Sequence, residues 1–170
     1  RNIGFTLLLQ KLIKTYYYSA AFDLDSFRCS LDDDPAFYEK FLLPCLSTEH
    51  TTFYSSNKSM SRLEKTKYIS NFEQTYDNLL VCYMSDKNCG KCSKCIRTLL
   101  TLDVLGISEK YRHSFDIDYY KQHRNQYFTK LCAGRYINSM MTEIYDYAVA
   151  HQIKIPLQCK FFGFFERTWM

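Results

Sequence analysis

Glycine and proline are scarce in this chain, at 5 and 3 of its 170 residues. Long flexible linkers draw on those residues, so none is expected. Charge of one sign is not in large excess either. Twenty-two lysines and arginines meet 18 aspartates and glutamates, and the net charge of +4 does not by itself call for nucleic acid. Long hydrophobic runs are missing. IGFTLLL near the start is far short of the ~20 apolar residues that cross a bilayer. RNIGFTLLLQ has some look of a signal peptide, but Lys11 and Lys14 interrupt the apolar stretch just beyond it, and a helix is the better reading. No membrane partner is expected.

Aromatic side chains are plentiful, with 15 tyrosines and 13 phenylalanines, which points to aromatic-rich packing. Hydrophobic residues make up 46% and charged ones 24%, the balance of an ordinary globular protein long enough for a real core. The chain also carries eight cysteines. Four of them fall in one window, VCYMSDKNCGKCSKC: Cys82, Cys89, Cys92 and Cys95, spaced C-x6-C-x2-C-x2-C. Pairs of thiolates two residues apart can wrap one tetrahedral ion, and zinc takes four such ligands at about 2.3 Å.

The surrounding residues suit a metal. Gly90 lies between Cys89 and Cys92, where a turn needing positive φ would aim both sulfurs at one point. Cys95 opens an apolar helical stretch with Leu99, Leu102 and Leu105 at helical spacing and Gly106 placed to cap it. A thiolate in a first helical turn is favoured by the macrodipole. Lys87, Lys91, Lys94 and Arg97 can offset the negative charge of a four-thiolate site. Zinc is the first choice. An iron–sulfur cluster is the second, although the C-x3-C-P that completes a bacterial ferredoxin pattern is missing. Reduced buried cysteines or disulfides are the remaining alternatives. Metal spacing in half of the cysteines favours a reducing cytoplasm. A closed four-thiolate site leaves no position for substrate, so its expected role is structural.

Along the chain, residues 3–15 read as a helix, with Ile3 and Leu7, Leu8 and Leu12, and Leu9 and Ile13 four apart. TYYYSAAF reads as a buried strand. An acidic loop with Asp32, Asp33 and Asp34 leads to a short helix starting near Pro35, with Phe37, Tyr38, Phe41 and Leu42 on its apolar face. CLSTEHTTFYSSN reads as extended. Ser61 and Glu64 form a capping box that opens a helix through residue 72. NLLVCY reads as another buried strand ending at Cys82. A helix over residues 96–105 comes next, and residues 119–151 read as two helices meeting near Gly134. Helices alternating with short apolar strands predict an α/β layer with parallel strands. The expected division is an α/β domain over residues 1–115 and a helical extension over residues 116–170.

These residues together carry a resemblance. RN-x-x-F is followed by helix, strand, acidic loop, strand, capped helix and a strand ending in cysteine, then by C-x2-C-x2-C running into a helix. Over residues 1–106 this order resembles the C-terminal half of the queuosine-pathway cyanodeazaguanine synthases and their relatives. Those are ATP pyrophosphatases with an adenine-nucleotide α-hydrolase-like (HUP-like) fold. NCGKCSKCIRTLLTLDVLG, with LSTEH upstream, is more similar to relatives of those synthases than to the synthases proper. The resemblance implies a chemistry in which ATP with magnesium adenylates a small carboxylate or nucleobase-like substrate, pyrophosphate leaves and a nitrogen nucleophile attacks. It implies that Cys82, Cys89, Cys92 and Cys95 are structural zinc ligands beside the active site. It also implies that Arg1 and Asn2 lie near nucleotide and substrate, and that Arg62 stands near phosphate. An arginine just inside a capped helix can serve an anion in that way. The family's S-G-G-x-D-S phosphate loop is missing from this sequence. With no initiating methionine before Arg1, a fragment that is inactive alone is the expectation.

Other candidates carry less. Glu49 with His50 could act as an acid–base pair and Cys45 with His50 as a nucleophile couple, but neighbours on a strand point to opposite faces and no third group is identifiable. His113, His123 and His151 are scattered. YYKQHRNQYFTK interleaves cations with aromatics, as single-stranded nucleic-acid binders do. Tyr120, Arg124, Tyr127 and Leu131 at helical spacing argue instead for an amphipathic helix. Two functions therefore fit the sequence: a zinc-containing piece of an adenylating ligase-like protein, and a non-catalytic zinc-stabilised module binding protein or nucleic acid. Phe-rich FFGFFERTW could cover a neighbour, form a homodimer interface or dock on its own core.

Overall fold

The computed structural model describes residues 2–22, 35–56 and 59–167. Arg1 and the acidic run Asp32, Asp33 and Asp34 lie outside the described residues. The chain forms two compact units, Arg1–Lys65 and Thr66–Met170. Its described part is mixed α/β and mostly helical. None of the described helices is long and apolar enough to cross a membrane.

The first unit contains helix α1 (Asn2–Leu8), strand β1 (Thr15–Ser19), a 3-10 turn (Pro35–Phe37), helix α2 (Glu39–Cys45) and strand β2 (Thr52–Ser56). β1 and β2 are parallel and in register from Thr15 opposite Thr52 to Ser19 opposite Ser56. Parallel neighbours need a crossover, and α2 lies in the connection. Aromatic pairs join the strands at consecutive positions, one on each face of the sheet: Tyr16 tilts against buried Phe53 at 5.8 Å, and Tyr17 stacks on Tyr54 at 5.7 Å. Buried Glu39 at the start of α2 accepts a 2.8 Å bond from the Ser55 hydroxyl of β2.

Helix α1 ends at Leu8 rather than at residue 15. The reason is tertiary. The buried Thr51 hydroxyl bonds the Gln10 and Ile13 carbonyls at 3.3 and 2.6 Å, and the Thr52 N–H takes the Lys14 carbonyl at 3.0 Å. Those carbonyls serve the sheet entry instead of a helix. The stretch from residue 45 is also less extended than expected, because α2 runs through Cys45 and β2 starts only at Thr52.

The capping box at the start of α3 (Arg62–Ile69) is present in both halves. The Glu64 carboxylate accepts from the Ser61 N–H at 2.8 Å, and the Ser61 hydroxyl accepts from the Glu64 N–H at 3.2 Å. α3 carries the boundary between the two units and stops at Ile69, short of residue 72.

The second unit is helical among its described residues: α4 (Gln74–Asn78), α5 (Ser93–Val104), α6 (Ile117–Gln122), α7 (Arg124–Gly134), α8 (Ser139–Ala150) and α9 (Leu157–Arg167). α5 is the centre of its core. Cys95, Leu99, Leu100 and Leu102 are buried, and Tyr111, Tyr120, Phe128, Leu131, Ile144 and Ala148 are buried with them. α5 ends as its glycine predicts: Gly106 takes φ +69, its N–H bonds the Asp103 carbonyl, and the Ile107 N–H reaches back to Leu102 at 2.9 Å. Residues 119–151 break near Gly134 as read from sequence, and additionally at His123, which separates α6 from α7.

The expected third strand, NLLVCY, does not form. α4 occupies residues through Asn78, and residues 79–83 belong to no ladder. The N–H groups of Val81 and Cys82 bond the Asn88 side chain instead, at 2.9 and 3.2 Å. The parallel sheet among the described residues therefore has two strands.

Candidate metal centre

The four cysteines singled out by spacing come together. The sulfurs of Cys82, Cys89, Cys92 and Cys95 all lie within 4.8 Å of one another, with Cys92 and Cys95 buried and the other two half-buried. Cys82 to Cys92 and Cys89 to Cys95 each measure 4.0 Å between sulfurs. All four are free thiols. A tetrahedral ion with about 2.3 Å to each thiolate needs sulfurs roughly 3.8 Å apart. The observed cluster is positioned to hold a metal ion with little adjustment.

Local backbone makes this possible. Gly90 adopts φ +70, so the chain turns sharply between Cys89 and Cys92. The N–H groups of Lys91 and Cys92 then both point at the Cys89 sulfur, at 3.4 and 3.3 Å. The Met84 N–H points at Cys82 at 3.4 Å. Cys92 is the N-cap of α5 and accepts from the Cys95 N–H at 3.5 Å. Backbone donors of this kind favour thiolate over thiol. The Cys82 thiol is accordingly lowered to about 6, first by the Cys89 N–H and then by that of Met84. Burial alone would raise Cys92, but the Cys95 N–H and neighbouring thiols outweigh it and leave it lowered. Burial dominates at Cys95 and pushes its thiol up to about 12. Such a proton must leave when a metal binds, because the ligand is the thiolate.

Two residues that the sequence does not tie to the cysteines hold the loop. Asn88 is the first. Its oxygen accepts the Val81 and Cys82 N–H groups, and its amide nitrogen donates to the Leu79 and Ser114 carbonyls at 2.6 and 2.9 Å. All four hydrogen-bonding positions of that amide are used. Tyr127 of α7 is the second: its hydroxyl donates to the Gly90 carbonyl at 2.8 Å. Burial pushes the Tyr127 hydroxyl up to about 12, so it stays a donor at neutral pH. An asparagine directly before the second cysteine, in a loop with no strand partner, was the available signal for Asn88. Nothing local marks Tyr127.

The other site candidates stay apart from the cluster in sequence and chemistry. Asn2 starts α1, and its carbonyl accepts the Thr6 hydroxyl at 3.1 Å. The Arg62 guanidinium donates to the Ala21 carbonyl at 2.9 Å, and buried Lys65 donates to Ala20 at 2.8 Å, just past the end of β1. Glu49 and His50 sit in a bend rather than a strand and touch at 3.6 Å, with both side chains at least half exposed. No hydrogen bond joins Cys45 to His50 among the described residues. His123 and His151 stack on Tyr119 and Tyr147 one helical turn back. The aromatic–basic tract of α6 and α7 is largely interior: Tyr120, Tyr127 and Phe128 are buried. Asp103 accepts from both Tyr120 and Arg124 at 2.6 Å. That leaves few rings of the tract for stacking on a base.

No protein-family model, no curated protein and no solved structure matches this chain.

Proposed function

We propose that the chain holds one zinc ion between Cys82, Cys89, Cys92 and Cys95, and that this zinc is structural. The observation that carries the reading is four free sulfurs within 4.8 Å. Four thiolates fill a tetrahedral shell, so no coordination site is left for water or substrate. Such a zinc ties residues 79–92 to the first turn of α5 and supplies folding energy to the helical unit. Lys87, Lys91 and Lys94 offset the surplus negative charge.

The wider activity rests on the sequence resemblance: a zinc-containing part of an ATP-dependent adenylating ligase-like protein, with a HUP-like α/β fold. Support comes from the parallel β1–β2 pair with a helix in its connection, and from Arg62 and Lys65 just past the end of β1. Ligands of open parallel sheets bind outside the carboxyl ends of the strands. The non-catalytic module is the second reading. Its nucleic-acid form is disfavoured by the burial of Tyr120, Tyr127 and Phe128.

The zinc test is elemental analysis of the purified chain beside Cys92→Ser. One zinc per chain is expected, with loss of metal and of cooperative unfolding in the variant. A fully metallated, equally stable variant overturns the assignment. The adenylating part is tested separately by reading the gene upstream of Arg1 and titrating the longer protein with magnesium ATP. An S-G-G-x-D-S loop and saturable ATP binding are expected. Their absence refutes the adenylating part and leaves the zinc intact.

A further inference from the structure

Helix α9 presents an unusual surface. Its inner face is Cys159 and Gly163, both buried. A Cβ built on Gly163 would meet Cys132 Cβ at 2.5 Å and the α7 backbone at Thr129 and Ala133 at 3.0 Å, so the two helices touch almost backbone to backbone. On the other side Leu157, Phe161, Phe162, Phe164 and Phe165 are all exposed, from 49% for Phe165 to 82% for Leu157. At 3.6 residues per turn, Phe161 and Phe165 lie opposite Gly163, with Phe162 and Phe164 flanking them. Exposed phenylalanines at this density are not the scattered apolar residues of a normal surface.

The pattern is its own complement. Around Gly163 the sequence reads Phe-Phe-Gly-Phe-Phe, the same in both directions. When two such helices lie antiparallel about a twofold axis at the level of Gly163, residue 161 of one meets residue 165 of the other, while residues 162 and 164, on opposite flanks, each face their own counterpart. An isologous dimer requires that kind of self-matching surface. The area suits a weak dimer. With about 200 Å² per ring, the exposed fractions of the four phenylalanines amount to roughly 450 Å² per copy. About 900 Å² for the pair is the size of a weak, reversible interface. Phe161 already makes edge contacts with Phe162 and Phe165, at 5.9 and 4.9 Å, so the cluster is pre-assembled for a partner.

We propose that this face is a homodimer interface in which α9 packs antiparallel on α9 of a second copy, centred on Phe161 and Phe165. The interface is independent of the zinc and of the adenylating reading.

Sedimentation equilibrium of the full chain tests it, with reductant present so that exposed Cys45 cannot cross-link copies. Wild type should shift from monomer to dimer between about 1 and 100 µM. Phe161→Lys alone and Phe165→Glu alone should each be monomeric there, with unchanged helicity because both rings are exposed. Mixing the two variants should restore the dimer, since each lysine then faces a glutamate while the second contact remains Phe against Phe. A wild type that stays monomeric overturns the proposal, and so does a dimer that survives both substitutions. Loss of the fold in either variant overturns it too, because it would mean the chain's own residues cover the face. Two monomeric variants that fail to associate on mixing refute the antiparallel pairing.

Discussion

Replacing Asn88 with aspartate keeps the shape of the side chain and inverts half of its hydrogen bonding. The retained oxygen still accepts from Val81 and Cys82. The Leu79 and Ser114 carbonyls, which received N–H donors at 2.6 and 2.9 Å, now face a second oxygen. Losing a bond and leaving its acceptor opposed costs about 1–3 kcal/mol each, and the region is only part-buried, so water recovers some of it. A net loss of about 3 kcal/mol is expected. For a unit of roughly 100 residues that corresponds to a fall in Tm of about 12–24 °C. The new charge also sits where the Asn88 oxygen is 4.0 Å from the Cys95 sulfur, so it opposes thiolate formation. Residues supporting metal ligands typically change affinity by about 10–100-fold. The assay is thermal unfolding monitored by circular dichroism, paired with zinc competition against a chromophoric chelator. Asn88→Ala, which removes all four bonds without adding charge, should lose similar stability but less zinc affinity than Asn88→Asp. An aspartate variant that melts within a few degrees of wild type and holds zinc equally well would refute the role given to Asn88.

Two further substitutions probe the helical unit. Gly163→Ala should lower Tm: alanine gains ~1 kcal/mol of helix propensity, but a Cβ 2.5 Å from Cys132 Cβ forces α7 and α9 apart at a cost of about 1–3 kcal/mol. An unchanged or higher Tm would disprove the close approach. Gln152→Gly should stabilise by about 0.5–1 kcal/mol, because Gln152 closes α8 at φ +55, a conformation that glycine adopts without strain. Urea unfolding checks this, and a lower midpoint would contradict it.

The residues that could be read from sequence are those whose partners are close in the chain. The cysteine cluster, the Gly90 turn, the Ser61–Glu64 capping box and the Gly106 cap are each specified within at most fourteen residues. β1 and β2 were legible from their aromatic and β-branched runs, and their parallel pairing from the helix between them. Distant groups decided the rest. Thr51 pulls residues 10–13 out of a helix, and nothing in IGFTLLLQKLIK announces it. NLLVCY has the composition of a strand, but the Asn88 amide satisfies its backbone, so no neighbour is needed. The role of Tyr127 depends on α7 docking beside the cysteine turn, 37 residues away. Likewise the aromatic–basic tract could be resolved only when Asp103 proved to take both Tyr120 and Arg124.

The locality of the cysteine cluster has a consequence for the order of folding. Closing the loop from Cys82 to Cys92 brings together residues only 10 apart, whereas Tyr127 reaches Gly90 across 37 and Cys159 reaches Asn125 across 34. Short loops close in tens of nanoseconds and at small entropic cost. The sulfurs can therefore assemble before α7 and α9 find their places. An ion captured at that stage would fix the first turn of α5 while the chain is still open, and α5 would then offer Leu99, Leu100 and Leu102 as a ready template for the later helices. Metal availability during synthesis would thus govern how fast this unit folds as well as how stable it becomes.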